Sequence, residues 1–308
     1  MFSIHHIGLA AHDMKALAAF YRQAAGLRAW DALDALQLPG RGLSLAGPNA
    51  GLRLLAGAEA PRRRPVSEAG FTHVCLQSPA VPALRNAFER AGASFHSPLI
   101  DLGTGFLYTY ARDPEHNVTE LEGVAPVWAD GRPWLAHVNV ACADLSRQCD
   151  FYGALLAAPV VRSRRLHGNP LLDRIADLDH VELRMAWISA GNAQVELISY
   201  SAPAAVASSS PGTRRAPGAN GHAYVAFEVD GLDAACAHLQ ACGGTLAAEP
   251  APSSQSASLA FAVDPEGNPL WLIDREWLIG HGASFTQLAQ PDIVARFDAA
   301  RARLLGVS

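Results

Sequence analysis

A chain of 308 residues is longer than one hydrophobic core usually serves, so two domains of roughly 150 residues each are the natural division. Half of the residues are apolar and 17% are charged, with a net charge of −5, which fits a well-buried globular chain and argues against nucleic acid or an anionic membrane as partner. The five cysteines contain no CxxC pair, no apolar run is long enough to span a membrane, and the N-terminal MFSIHHIGLAAHD has no basic stretch followed by a long apolar one, so a reduced, cytoplasmic setting is expected.

Residues 2–56 read as a strand (IHHIGLAA), a helix and further strands. Asp13 is placed to cap MKALAAFYRQAAGL, where Leu17, Phe20, Tyr21 and Ala24 share one face and Gly26 ends the helix. Residues 57–69 form a polar connector whose RRR run at 62–64 reads as a solvated loop. Residues 70–122 repeat the plan, with THVCLQS, the helix VPALRNAFERAG closed by Gly92, and the strands ASFHSP, GFLYTYARD and NVTELEG. The loop-like stretch 123–133 is the candidate domain boundary. Residues 134–200 return to the first pattern and 221–274 to the second, joined by a Ser/Ala/Pro/Gly-rich connector at 201–220. The tail 275–308 is expected to carry an amphipathic helix around PDIVARFDAARARLL, with Pro291 in its first turn.

The repeat can be counted. His6 precedes Asp13 by 7 and Tyr21 by 15, and His137 stands in the same relation to Asp144 and Tyr152. The turns DPEHN and DPEGN match, and His73 to Glu120 spans 47 residues, as does Tyr224 to Trp271. The order is A, B, A′, B′, a duplicated two-unit domain, which places one domain at 1–125, a second at 134–274 and a helical tail at 275–308.

Four βαβββ units with a His in the first strand, an FY pair in the helix and a DPxxN turn before a Glu resemble the vicinal oxygen chelate superfamily, which includes glyoxalase I, bleomycin-resistance proteins and type I extradiol dioxygenases. The resemblance implies an α+β fold in which two units curl a mixed sheet into a cup with helices outside. Each unit can then offer one metal ligand from its first strand and one from its last. Carried onto this chain, unit 1 offers His6, with Arg53 at its second position. Unit 2 offers His73 and Glu120, and unit 3 offers His137 and Glu196. Unit 4 presents Tyr224 and Trp271, neither of them a matching ligand, with His222 two residues before Tyr224. If unit 1 pairs with unit 2, as the repeat order favours, His6, His73 and Glu120 form a two-imidazole, one-carboxylate site suited to Fe(II) and, less selectively, to Mn, Zn or Ni. The second domain is then mostly structural. If unit 2 pairs with unit 3, His73, Glu120, His137 and Glu196 make a four-ligand cup like that of glyoxalase I.

His5 is expected to face away from His6, since strand side chains alternate. His12, His96, His116, His167 and His180 read as satisfied surface or interface residues, and Phe20, Tyr21, Phe151 and Tyr152 as helix-on-sheet packing. Tyr110 stands ten residues before Glu120, where the resemblance to extradiol dioxygenases places a phenol that assists catecholate deprotonation. The His those enzymes carry a little earlier is missing, since Asp101, Leu102 and Gly103 occupy that region. Arg53, if it points into the cup, could bind a substrate carboxylate or enolate. Three functions follow from the resemblance. The first is an Fe(II) dioxygenase acting on an aromatic diol, with Tyr110 and Arg53 as catalytic residues. The second is a redox-neutral lyase or isomerase of glyoxalase type, and the third a non-catalytic cup that sequesters a small molecule. All take a small-molecule partner, and a homo-oligomer is compatible with each.

Overall fold

The computed structural model describes residues 1–103, 105–124, 131–203, 221–247 and 258–285. Unit 1 runs through β1 (Phe2–Ala11), α1 (Met14–Ala25), β2 (Arg28–Ala29), α2 (Asp31–Ala35), β3 (Gly42–Ala46) and β4 (Gly51–Ala56). Unit 2 comprises β5 (Gly70–Ser78), α3 (Val81–Ala91), β6 (Ser94–Phe95), β7 (Ile100–Asp101), β8 (Leu107–Arg112) and β9 (Val118–Gly123). Unit 3 holds β10 (Trp134–Ala141), α4 (Leu145–Leu156), β11 (Val160–Arg162), α5 (Pro170–Ala176), β12 (Glu182–Ser189) and β13 (Gln194–Ala202). Unit 4 holds β14 (Gly221–Val229), α6 (Leu232–Ala241), β15 (Thr245–Ala247), β16 (Leu259–Val263) and β17 (Pro269–Asp274), and α7 (Arg275–Gly280) follows. The expected tail helix at 291–305 lies outside the described residues. Among those described, no helix is long and apolar enough to cross a membrane.

Helix α1 forms for the reasons its sequence gives. The Asp13 side chain accepts from the Lys15 and Ala16 amides, Gly26 ends the helix at φ 67°, and Leu17, Phe20, Tyr21 and Ala24 are buried. Each large apolar side chain buried on that face contributes roughly 1.5–3 kcal/mol. The short helix α2 falls among the further strands expected of residues 2–56, and α5 is a second short helix, opened by Asn169, which caps it, and by Pro170.

Units 1 and 2 touch through their helices. Phe20 meets Phe88 edge-on at 5.5 Å, and the Tyr21 hydroxyl donates to Asp113 of the DPEHN turn at 2.9 Å. Units 3 and 4 repeat the contact, with Tyr152 donating to Asp264 at 3.1 Å. The FY tyrosine therefore fastens one unit to the turn of the next, beyond the packing role expected of it.

The sheets are joined differently. One runs β15-β16-β17-β14-β1-β4-β3-β2 and the other β11-β12-β13-β10-β5-β9-β8-β6, with β7 on β8. Unit 1 shares its sheet with unit 4, through antiparallel β1 and β14, and unit 2 shares its sheet with unit 3, through β5 and β10. The expected sharing of a cup between units 1 and 2 is corrected by this pairing. Helix contacts hold sequence neighbours together, while strand edges left open by each neighbouring pair are closed by the other pair.

A β-bulge interrupts each of the four first strands one residue before the ligand position. His5, Thr72, Ala136 and Ala223 are the extra residues, preceding His6, His73, His137 and Tyr224. An inserted residue cancels strict alternation, so two successive side chains can face the same compartment.

Candidate metal centre

The sheet shared by units 2 and 3 brings His73, Glu120, His137 and Glu196 together, all buried, with one ligand atom from each lying within 4.8 Å of the others. His137 Nε2 is 3.0 Å from Glu120 Oε2 and 3.2 Å from Glu196 Oε2. His73 Nε2 is 3.3 Å and 3.4 Å from the same two oxygens. Donors bound at about 2.1 Å to one ion lie roughly 3.0 Å apart at right angles and roughly 3.4 Å apart in a tetrahedron, so these spacings are those of a coordination shell.

Hydrogen bonding fixes which atom of His73 faces the shell. Asn139 Nδ2 donates to Glu196 Oε2 at 3.1 Å, which leaves Asn139 Oδ1 to accept the Thr72 hydroxyl proton at 2.5 Å. Thr72 Oγ1 must then accept at 3.1 Å from His73 Nδ1. His73 Nε2 is left aimed at two carboxylates, buried and without a hydrogen-bond partner. Only a proton or a metal ion between them makes that arrangement stable. With a proton there, burial lowers the imidazole pKa values, but the two glutamates outweigh it, raising His73 and lifting His137 to about 9. Burial correspondingly raises the carboxyl pKa values, yet the imidazoles hold Glu120 down at about 2 and Glu196 well below its ordinary value. The donor set of two imidazoles and two carboxylates fits a divalent metal, which would replace two protons.

The two carboxylates are held unequally. Trp187 Nε1 donates to Glu196 Oε1 at 2.7 Å while Asn139 holds Oε2, so both oxygens of Glu196 are tied. Glu120 is engaged through Oε2 alone among the described residues and is the more exposed of the two, at 7% against 2%. Tyr110 lies opposite Glu120 across β8 and β9, its ring 4.9 Å from that of His73. Burial first, then the glutamate charges, raises the pKa of Tyr110 and of Tyr200, so both stay protonated.

His6 and Arg53 are elsewhere. They belong to the cup shared by units 1 and 4, with Tyr224 and Trp271 in the remaining ligand positions. His6 is therefore corrected as a partner of His73 and Glu120, because β1 lies in the other sheet. Arg53 is 4% exposed and donates to the Leu38, Pro39 and Gly40 carbonyls at 2.9, 3.0 and 2.7 Å, which removes it from catalysis at the four-donor centre. Trp271 stacks on Tyr224 at 4.0 Å, and the Tyr224 ring lies so close to Gly8 that a Cβ there would fall 2.1 Å from it. This cup is filled by its own side chains, together with Trp30, Ala283 and Phe285.

Nor does His5 face away from His6. The bulge turns it inward, it is 0% exposed, and its Nδ1 sits 2.7 Å from His6 Nδ1. His5 Nε2 must donate to the Ala283 carbonyl at 2.6 Å, so its Nδ1 accepts from His6 Nδ1. His6 Nε2 then accepts from the Tyr224 hydroxyl at 3.0 Å, which in turn accepts from Arg53 Nη1 at 3.4 Å. Neutral imidazoles satisfy every atom of this chain. Burial lowers the pKa of both rings, to about 4 for His5.

Thr72, Asn139 and Trp187 escaped sequence reading. Thr72 directly precedes a ligand and Asn139 stands two residues after one, but without the bulge and the unit pairing nothing in the sequence aims them at the site. His222 reaches neither cluster of ligand atoms. His96 accepts from Arg112 Nε at 2.8 Å and bonds the Ile175 carbonyl at 2.9 Å, so both its nitrogens are satisfied within the protein.

Known proteins can be set beside this geometry. Crystalline glyoxalase I from Zea mays superimposes with a TM-score of 0.65 at 18% identity, covering 91% of this chain and 95% of that one. A Bacillus subtilis protein named only provisionally as a dioxygenase superimposes with a TM-score of 0.59 at 13% identity, over 99% of this chain and 96% of its own. At such identities the likeness is one of fold. No curated protein matches the chain. The profile of the Glyoxalase/Bleomycin resistance protein/Dioxygenase superfamily matches residues 3–121 and again 134–272, and the chain, with its four units, two curled sheets and buried His/Glu cluster, belongs to that superfamily.

Proposed function

We propose that the protein is a metal-dependent, redox-neutral lyase or isomerase, which moves a proton between adjacent carbons of a small substrate carrying two vicinal oxygens. The observation that carries this reading is the donor set of two histidines and two glutamates, one carboxylate tied at both oxygens and the other at one. An oxygen-using reaction on a chelated diol needs three open positions on a six-coordinate ion, two for substrate and one for oxygen. Four protein donors leave two, enough for a chelated substrate alone.

What a bound divalent ion supplies is Lewis acidity, which polarises a substrate carbonyl and acidifies the neighbouring C–H. Within this chain, Glu120 is the proton carrier, because Oε1 is unengaged among the described residues and the side chain is the less enclosed of the two. It takes a proton from one carbon and returns it to the next, while Glu196, clamped by Trp187 and Asn139, keeps its place. Tyr110, still protonated, offers an O–H to a substrate oxygen beside His73. The metal is Ni, Co, Zn or Mn as readily as Fe(II), since no redox step is involved.

The test is exchange of substrate carbon-bound hydrogen in deuterated water, followed by NMR without oxygen, using Ni- or Zn-loaded protein and a panel of α-hydroxycarbonyl compounds. Exchange is expected in the wild type, and its loss in Glu120→Gln at saturating metal. Oxygen uptake with catechols by the iron-loaded protein, without anaerobic exchange, would overturn the reading in favour of the dioxygenase.

A further inference from the structure

The two halves of the four-donor centre are related by the pairing of β5 with β10, and their histidines, like their carboxylates, are supported differently. Around His73, the bulge residue Thr72 accepts from Nδ1 and Asn139 stands behind it. Around His137 the corresponding residues are Ala136, whose side chain has no polar atom, and Cys75. His137 Nδ1 is consequently buried without a hydrogen-bond partner. Beside it lie Cys75, 0% exposed, and Glu122, 1% exposed, and these two with His137 offer ligand atoms within 4.8 Å of one another. Since His137 Nε2 faces Glu120 and Glu196, Nδ1 is the nitrogen left for this group.

We propose that Cys75, Glu122 and His137 form a second cation position in the floor of this cup, which takes a thiophilic divalent ion such as Zn²⁺. The spacing supports it. The Cys75 thiol donates to Glu122 Oε2 at 3.6 Å, and a cation would take the place of that proton. A tetrahedral ion with bonds of about 2.3 Å to sulfur and about 2.1 Å to oxygen sets those atoms about 3.6 Å apart. Gln77 Nε2, which donates to Glu122 Oε2 at 2.5 Å, orients the carboxylate. Ion binding releases two protons to solvent, from the Cys75 thiol and from His137 Nδ1. With both positions filled, three carboxylates, the Cys75 thiolate and the bridging His137 imidazolate set five negative charges against the four positive charges of two divalent ions, so neither ion is left an uncompensated buried charge. Sulfur separates the two positions chemically, because the four-donor centre offers nitrogen and oxygen only.

Cobalt titration of the metal-free, reduced full-length protein tests this. A first equivalent is expected to give only weak ligand-field absorption. A second should add an intense thiolate-to-cobalt charge-transfer band in the near ultraviolet. Cys75→Ser should lose that band and the second equivalent while keeping the first, and Glu122→Gln should bind the second equivalent more weakly without losing the first. His73→Ala should retain the thiolate band while losing the first site, so failure of the four-donor reading and failure of this one are distinguishable. Absence of the band from the wild type at every cobalt ratio, or its persistence in Cys75→Ser, overturns the proposal.

Discussion

The His5–His6 chain converts acid into instability, and the effect can be sized. His5 has a pKa of about 4 in the fold against 6.5 for the free side chain, because burial outweighs the Ala283 hydrogen bond and the Glu228 charge that favour its charged form. Its folded pKa is depressed, so the stability it brings is fully present above 6.5. That stability is lost as pH falls towards 4, where the unfolded chain has taken a proton that the folded one refuses. A gap of about 2.5 units at about 1.4 kcal/mol per unit amounts to about 3 kcal/mol. The groups facing the pair are few: His6 and Arg53 repel a proton, Glu228 attracts one, and the Tyr224 hydroxyl is neutral. His5→Gln keeps an N–H donor for the Ala283 carbonyl but cannot titrate. Urea unfolding of both proteins with chelator present, at about pH 7 and about pH 4, should show the wild type losing about 3 kcal/mol more than the variant. Equal acid losses in the two proteins would refute the chain of tautomers on which the figure rests.

Metal analysis of freshly purified variants should show loss of the metal of the four-donor centre in His73→Ala and His137→Ala, and full content in His6→Ala. Loss in His6→Ala would restore the pairing of units 1 and 2. Trp187→Phe, which frees Glu196 Oε1, should weaken metal binding roughly 10–100-fold in a chelator competition without lowering the melting temperature of the metal-free protein. Gly8→Ala forces a methyl into the Tyr224 ring and should cost at least about 1–3 kcal/mol in denaturant unfolding, with metal content unchanged.

Much of this was legible in the sequence. The intervals that repeat at 7, 15 and 47 residues give the four units, and His73 with Glu120 gives half of a site that survives either pairing. Which units share a cup was not legible from repeat order, because that order says which segments are alike and nothing about which strand edges meet. The signal was in the substitutions themselves. Arg53, Tyr224 and Trp271 depart from the ligand pattern, and pairing units 1 and 4 gathers all three into one cup. His5 was misread because strict alternation was applied across a bulge, where one inserted residue reverses the facing of its neighbour. Trp187 was hidden because its role depends on register, nine positions before Glu196 in sequence but directly across from it in the sheet.

Each cup takes one unit from each half of the chain. A homodimer of a two-unit protein would build the same two cups from two copies of one sequence, and a change at any ligand would be written into both. Joined end to end, the copies own separate residues. One cup is free to trade its coordinating groups for a stacked Tyr–Trp pair and a buried arginine, becoming ballast for the sheet, while its twin keeps four donors intact.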